Sequence, residues 1–346
     1  MERIAGSKLD GVLLTDPCEV TYFTAAQLGA PKQVPACLLI RASGESVLVC
    51  GESAREHHVD HVLKFRWHDG GTIPTELMPR LIEQAVPHLR LAGARIGIQQ
   101  ESIGAQLLSS FNLRESVPVD RIIFDLERTK DSLDLFRIRE AIEANLAAFD
   151  SAVKAITPGA TEIEIFAAAS CGAMLQAGEQ VVHDGDYRCS APGGPCRNRV
   201  IRSGEIYTID AWTQVAGYWS DLARTFPVGT PTKEQLNLIS HVRSIHTRIR
   251  PLLRPGISGN KIWSAMDSAL REHPSVSGLI HHGGHAIGLR LHESPDINPG
   301  VSDTLRPGDV LCIEPGAYHS DTNVRIEETY LITSAGAECL SNSTAE

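Results

Sequence analysis

Ile206-Tyr207-Thr208-Ile209-Asp210 and Tyr218-Trp219-Ser220-Asp221-Leu222-Ala223-Arg224-Thr225 are the two runs on which the fold of this chain turns. Both have the apolar, β-branched and aromatic make-up of strands. Each nevertheless carries an aspartate in an apolar setting, and a buried carboxylate is costly unless it is paired or metal-bound. Two further regions share this character. One is His281-His282-Gly283-Gly284-His285-Ala286-Ile287-Gly288-Leu289-Arg290-Leu291-His292-Glu293-Ser294-Pro295. The other comprises Ile313-Glu314-Pro315-Gly316-Ala317-Tyr318 and Val324-Arg325-Ile326-Glu327-Glu328-Thr329. Strand residues two apart share a face, so Arg325 and Glu327 are expected to point together and Glu328 away. Taken singly, Asp210 is expected on the surface, His285 as a satisfied core imidazole and Glu327 as a simple partner of Arg325. Five such residues in order change the balance. Gathered carboxylates repel, and divalent cations are the usual remedy.

Around these runs the second half of the chain alternates blocks of helix and strand. A helix opens near Asp131, with Ile138, Ile142, Leu146, Phe149 and Val153 on one face, and Pro158-Gly159 ends it. Thr161 with Glu164 forms a capping box for a second helix reaching about Ala177. Pro231-Thr232 with Gln235 starts a third, carrying Leu238, Val242, Ile245 and Ile249 and stopping at Pro255-Gly256. Ser258 caps a fourth, with Ile262, Met266 and Leu270. Strands are expected over 205–210, 218–226, 310–314 and 324–332. Helices and strands in blocks predict an α+β domain. The first ~125 residues alternate short apolar runs (11–15, 36–40, 46–50, 95–98) with a helix around 77–82, an α/β pattern. The boundary falls at Glu127-Arg128-Thr129-Lys130, giving domains 1–127 and 128–346.

Length and composition agree. At about 150 residues per domain, 346 residues suggest two. Hydrophobic residues make up 42% and charged residues 21%, which excludes a disordered or fibrous chain. The net charge is −10 and no basic block occurs, so neither nucleic acid nor an anionic membrane is an expected partner. No apolar segment follows Met1-Glu2-Arg3-Ile4, and no run of about 18 apolar residues occurs. The eight cysteines are expected to be reduced and mostly buried, in a cytoplasmic protein. Cys189 and Cys196 lie in a loop-like stretch without metal-ligand spacing. His57, His58 and His61 lack flanking ligands and are expected to face solvent.

The motifs together resemble the creatinase, aminopeptidase P, prolidase and methionine aminopeptidase superfamily, which shares the pita-bread fold. Its signature has two aspartates with ten residues between them, the second in a Tyr-x-Ser-Asp-x-x-Arg-Thr context; here these are Asp210 and Asp221. Gly284-His285-Ala286-Ile287-Gly288-Leu289 and His292-Glu293-Ser294-Pro295 match the next elements, and Glu314-Pro315-Gly316 and Arg325-Ile326-Glu327 the last. The match is strong over 129–346, with a smaller N-terminal α/β domain of creatinase type. The resemblance implies that Asp210, Asp221, His285, Glu314 and Glu327 bind two divalent ions (Mn, Co, Fe or Zn). It implies a dinuclear hydrolase of the Xaa-Pro dipeptidase or aminopeptidase P kind, in which a metal-bridging hydroxide attacks an amide carbonyl. His292 would donate a proton or a hydrogen bond, and His281 would line the pocket. Tyr318 and Arg325 would lie beside the ligands, with Arg325 orienting a carboxylate. A homodimer acting on small peptides is implied as well.

One departure stands out. Family peptidases usually carry a further histidine in the loop before the first metal aspartate, and no histidine lies between His183 and Asp210. This keeps a second function open: the same metal scaffold acting on a non-peptide small molecule, as creatine and ectoine hydrolases or a sulfonium lyase do. Arg197, Arg199 and Arg202 in that loop would then face an anionic substrate, unless they are merely solvated. A non-catalytic binding module is a third possibility, disfavoured because all five ligands are kept.

Overall fold

The computed structural model describes residues 8–28, 35–66, 77, 80, 83, 93–99, 113–319 and 322–341. The chain divides into two compact units, Met1–Glu127 and Arg128–Glu346. No helix among the described residues is long and apolar enough to cross a membrane.

The first unit is built on a six-stranded mixed sheet in the order β4-β3-β2-β1-β5-β6. Its strands are β1 (Gly11–Leu14), β2 (Cys37–Arg41), β3 (Ser46–Gly51), β4 (His61–Phe65), β5 (Arg95–Ile98) and β6 (Glu115–Pro118). The β1–β2 and β2–β3 ladders are antiparallel and the other three parallel. The near-continuous apolar runs of β1 to β3 fit strands buried on both faces. Helix α1 (Pro17–Thr24) is capped by Asp16, and α2 (Asp120–Arg128) runs up to the boundary. Of the helix expected over 77–82, only Leu77 and Arg80 are described, and both are helical. His58 and His61 are exposed, as expected, and His57 is half-buried.

The second unit has two helix pairs and two main sheets. Helices α3 (Ser132–Ala155) and α4 (Glu162–Ala177) pack on one face of the sheet β7 (Val182–Cys189), β8 (Ile206–Val215), β9 (Tyr218–Pro227). Helices α5 (Lys233–Ile249) and α6 (Gly259–Leu270) pack on the sheet β11-β10-β12-β15-β16. Those strands are β10 (Gly284–Ala286), β11 (Glu293–Asp296), β12 (Val310–Ile313), β15 (Glu328–Thr333) and β16 (Gly336–Cys339). A hairpin of β13 (Gly316–His319) and β14 (Thr322–Arg325) lies between β12 and β15 in sequence. The unit is α+β, as expected.

Each sheet turns alternate residues toward its helices. Ile209, Ala211 and Leu222 join the α3–α4 core, while Leu311 and Ile313 join the α5–α6 core. By strand alternation Asp210, Asp221 and Cys312 then face away from the helices. These two inner faces meet. Cys312 Sγ lies 3.7 Å from the Asp221 carbonyl, and Glu327 N–H donates to the Ala223 carbonyl at 2.9 Å.

Several local expectations need correcting. Val153 is 43% exposed, because α3 meets α4 through alanines rather than through its largest side chains. Helix α5 stops at Ile249 and continues only as a 3₁₀ turn containing Pro251, which has no N–H to extend the ladder. Ser258 sits at the N-cap of α6, but its hydroxyl bonds Asn260 Oδ1 instead. Cys189 closes β7 and is buried; the eight cysteines are free thiols, half of them buried. The strand expected over 324–332 is two strands, broken at Ile326-Glu327. There the backbone switches partners: Ile326 N–H donates to the Pro315 carbonyl and Glu327 N–H to that of Ala223.

Candidate metal centre

Register brings the acids together. Across β8 and β9, Asp210 pairs with Ala223 and Trp212 with Asp221. The two aspartates are therefore diagonal neighbours on one face. His285 lies on β10 opposite Cys312 of β12. Ile313 pairs with Glu328, so the next step of that ladder sets Glu314 beside Glu327, just where both strands stop. Glu314 is held by its N–H to the Gly283 carbonyl at 3.0 Å. All five side chains are buried. Asp210, Asp221 and Glu327 offer oxygens within 4.8 Å of one another; so do the ligand atoms of Asp221, His285 and His292. A third such group joins His285 and Glu327 with Cys312, whose thiol burial keeps protonated.

The electrostatics are those of a site short of positive charge. Burial and the charges of Asp221, Asp210 and Glu314 push Glu327 well above the carboxylate range. Burial and Asp210 raise Glu314 to about 8. Burial also raises Asp210, against the opposing pull of Arg325. Burial opposes charging His285, but Asp221, 3.7 Å from its Nε2, and Glu314 outweigh it and raise its pKa to about 9. His285 Nδ1 lies 3.0 Å from the Ala286 carbonyl, which leaves Nε2 to face the carboxylates.

The structure brings most of the other expected residues to this centre. Arg325 grips Asp210 Oδ2 with Nη1 and donates from Nε to the Tyr318 hydroxyl at 2.8 Å. That hydroxyl lies 2.9 Å from His281 Nε2. Arg325 and Glu327 both reach this centre, as expected of residues two apart, but the carboxylate that Arg325 grips is that of Asp210 rather than Glu327. The His292 ring stacks on His285 with centroids 3.8 Å apart and reaches the surface. Burial lowers both His281 and His292 to about 4, so both are neutral at pH 7.

Arg197 and Arg199 are not brought to the centre. Arg197 donates through its backbone N–H, Nε and Nη2 to Glu162, a fully buried acid in the first turn of α4. Arg199 pairs with Glu205, which also accepts the Arg202 N–H at 2.7 Å. The side chains of Arg197 and Arg199 stay partly solvated but are held by buried or half-buried acids, contacts that pin the 190–205 loop.

Two residues at the centre escaped notice although they lie in the quoted motifs. His282 Nδ1 is 3.4 Å from Glu314 Oε1. Arg224 grips the Glu327 carbonyl with Nη1 and pairs with Glu328, fixing the backbone of the last ligand. The adjacent His281-His282 pair and the Asp-x-x-Arg spacing were the available signals.

Do these residues fit divalent metal? Asp221 Oδ1 and Glu327 Oε1 are buried and have no hydrogen-bond partner among the described residues. Such orphaned oxygens are costly unless something positive meets them. Four carboxylates and one imidazole form an oxygen-rich donor set suited to first-row divalent ions. The fit is good.

Comparison with known proteins agrees. The sequence model of metallopeptidase family M24 matches residues 137–334. A Staphylococcus aureus (strain MW2) protein described as an uncharacterized peptidase is 28% identical, covering 99% of this chain and 97% of its own. The Xaa-Pro dipeptidase of Pyrococcus horikoshii is 28% identical over 100% of this chain and 96% of its own. Among solved structures, the Xaa-Pro dipeptidase from Bacillus anthracis superposes with a TM-score of 0.81 at 22% identity, covering 100% of this chain and 96% of that one. The architecture described above is therefore the pita-bread fold that the motifs implied.

Proposed function

The chain belongs to metallopeptidase family M24, and from that membership we propose that it is a dinuclear Xaa-Pro dipeptidase or aminopeptidase. It is a metallohydrolase using divalent metal. Asp210, Asp221, His285, Glu314 and Glu327 would hold two ions, Mn being one of the metals that suit their donors. The observation that carries this reading is the pair of orphaned oxygens, Asp221 Oδ1 and Glu327 Oε1, inside a cluster of buried acids. When bound, the ions supply a Lewis acid for a scissile carbonyl and lower the pKa of a water.

The chain's own residues do the rest. Arg325 fixes the orientation of Asp210, and Tyr318 links Arg325 to His281. His281, neutral at pH 7, has Nδ1 against the His282 carbonyl and Nε2 against the Tyr318 hydroxyl, and so braces that hydroxyl beside Arg325. His292 is neutral and solvent-accessible beside His285, so it can accept a proton released by the attacking water and hand it on to a leaving amine. The non-peptide alternative is not favoured. Two of the loop arginines that would have served an anionic metabolite, Arg197 and Arg199, are paired with Glu162 and Glu205.

In this reading 128–346 is the catalytic domain and 1–127 its creatinase-type companion. Free thiols fit a reducing cytoplasm, and the resemblance implies a homodimer. The test is a hydrolysis screen of Xaa-Pro dipeptides against small amides. Xaa-Pro turnover abolished by a chelator and restored by divalent metal is expected. Inert Xaa-Pro peptides alongside a small amide that turns over would overturn it.

A further inference from the structure

Lys130 precedes α3, and nothing in the chemistry above uses it. Its side chain is 2% exposed, and its ammonium sits on Glu293 Oε2, itself nearly buried. The pair is not a helix cap, since Asp131 and Asp134 form the capping box of α3. Buried ion pairs are also weak evidence for stability, because desolvation offsets their attraction. What this one holds is a loop. The other oxygen of Glu293 accepts the Arg290 N–H at 3.1 Å. A Cβ added at Gly288 would lie 2.8 Å from both Glu293 Oε1 and Lys130 Cε, so chain and ion pair are packed without slack there. Gly288 in turn donates to the Arg290 carbonyl at 3.2 Å and accepts the Trp219 N–H at 2.8 Å. Lys130 is itself anchored by its N–H to the Gly308 carbonyl at 3.1 Å, in the turn before β12.

The residue at the end of that loop is His292, the immediate neighbour of Glu293. Glu293 also pairs across the ladder with Ala286, one residue from His285, at the point where the register shifts. The ion pair thus fixes the backbone on both sides of the stacked His285 and His292 rings.

We propose that Lys130 and Glu293 are a positioning pair for His292: the buried salt bridge fixes the 288–293 loop so that the imidazole stays stacked over the metal-site histidine. This rests on the role given to His292 above.

Lys130→Met alone would strand a buried carboxylate and endanger folding. The informative variant is therefore the neutral pair Lys130→Met/Glu293→Gln, made with and without His292→Ala. Activity is read on the best Xaa-Pro dipeptide of the screen, together with bound metal and a crystal structure. The pair variant is expected to keep its metal and its KM while kcat falls about 10- to 100-fold, the scale of a misplaced catalytic group. In the His292→Ala background the same change is expected to cost less than about twofold, because the two losses share one cause. The crystal structure is expected to show the His292 ring displaced from His285. Full kcat in the pair variant, additive losses, or a ring still stacked would overturn the proposal. If His292→Ala alone keeps full kcat, the role of His292 itself fails, and that result is distinguishable from failure of the pair.

Discussion

His183 shows how one residue's surroundings set a property of the fold. It lies on β7, with Nδ1 2.8 Å from Thr213 Oγ1, Nε2 2.8 Å from the Tyr187 hydroxyl and its ring stacked against Phe166. Burial lowers its pKa from 6.5 to about 4, with Asp184 opposing. The folded value lies below the unfolded one, so this group's contribution is complete above pH 6.5 and is lost as pH falls toward 4. Between those limits the wild type should lose about 3 kcal/mol more stability than His183→Gln. Denaturant melts across the window check this, and equal losses would contradict it. At the residue scale the proposed ligands were legible only as a set: each acid alone reads as exposed or simply paired, but Asp210, Asp221, Glu314 and Glu327 in order, each in an apolar run, are a chemical mismatch that calls for a cation. Arg197 was not legible, because its partner Glu162 is 35 residues away and looks like an ordinary first-turn acid.

At the scale of elements, α3 and α4 are the clearest case of packing that large side chains conceal. Ala141, Ala144, Ala148 and Ala152 of α3 meet Ile165, Ala169 and Ala173 of α4. The approach is so close that a Cβ on Gly172 would collide with the Ser151 hydroxyl and lie 2.5 Å from the Ala147 carbonyl. Gly172→Ala, favourable by helix propensity alone, should therefore destabilise the protein by about 1–3 kcal/mol. An unchanged or raised melting midpoint would contradict this. Capping boxes at Thr161/Glu164 and Thr232/Gln235 were legible because both partners sit in one turn of sequence. The break between β14 and β15 was not. Its cause is the non-local bond from Glu327 N–H to Ala223, which no periodicity in 324–332 encodes.

For the whole molecule, the surplus of acids in a chain of net charge −10 acquires a purpose. Four of them converge between two helix-backed sheets, where burial and mutual repulsion raise the pKa values of Asp210, Glu314 and Glu327 and where an oxygen each of Asp221 and Glu327 is left without a partner among the described residues. The motif order made this convergence predictable, whereas the strand pairing that achieves it depends on contacts far apart in sequence. The account stands or falls on metal. Elemental analysis of the purified chain, paired with its Xaa-Pro hydrolysis rate, tests it most directly. About two divalent ions per chain are expected, with Glu327→Gln losing metal and activity together. A metal-free protein that remains fully active would contradict the account.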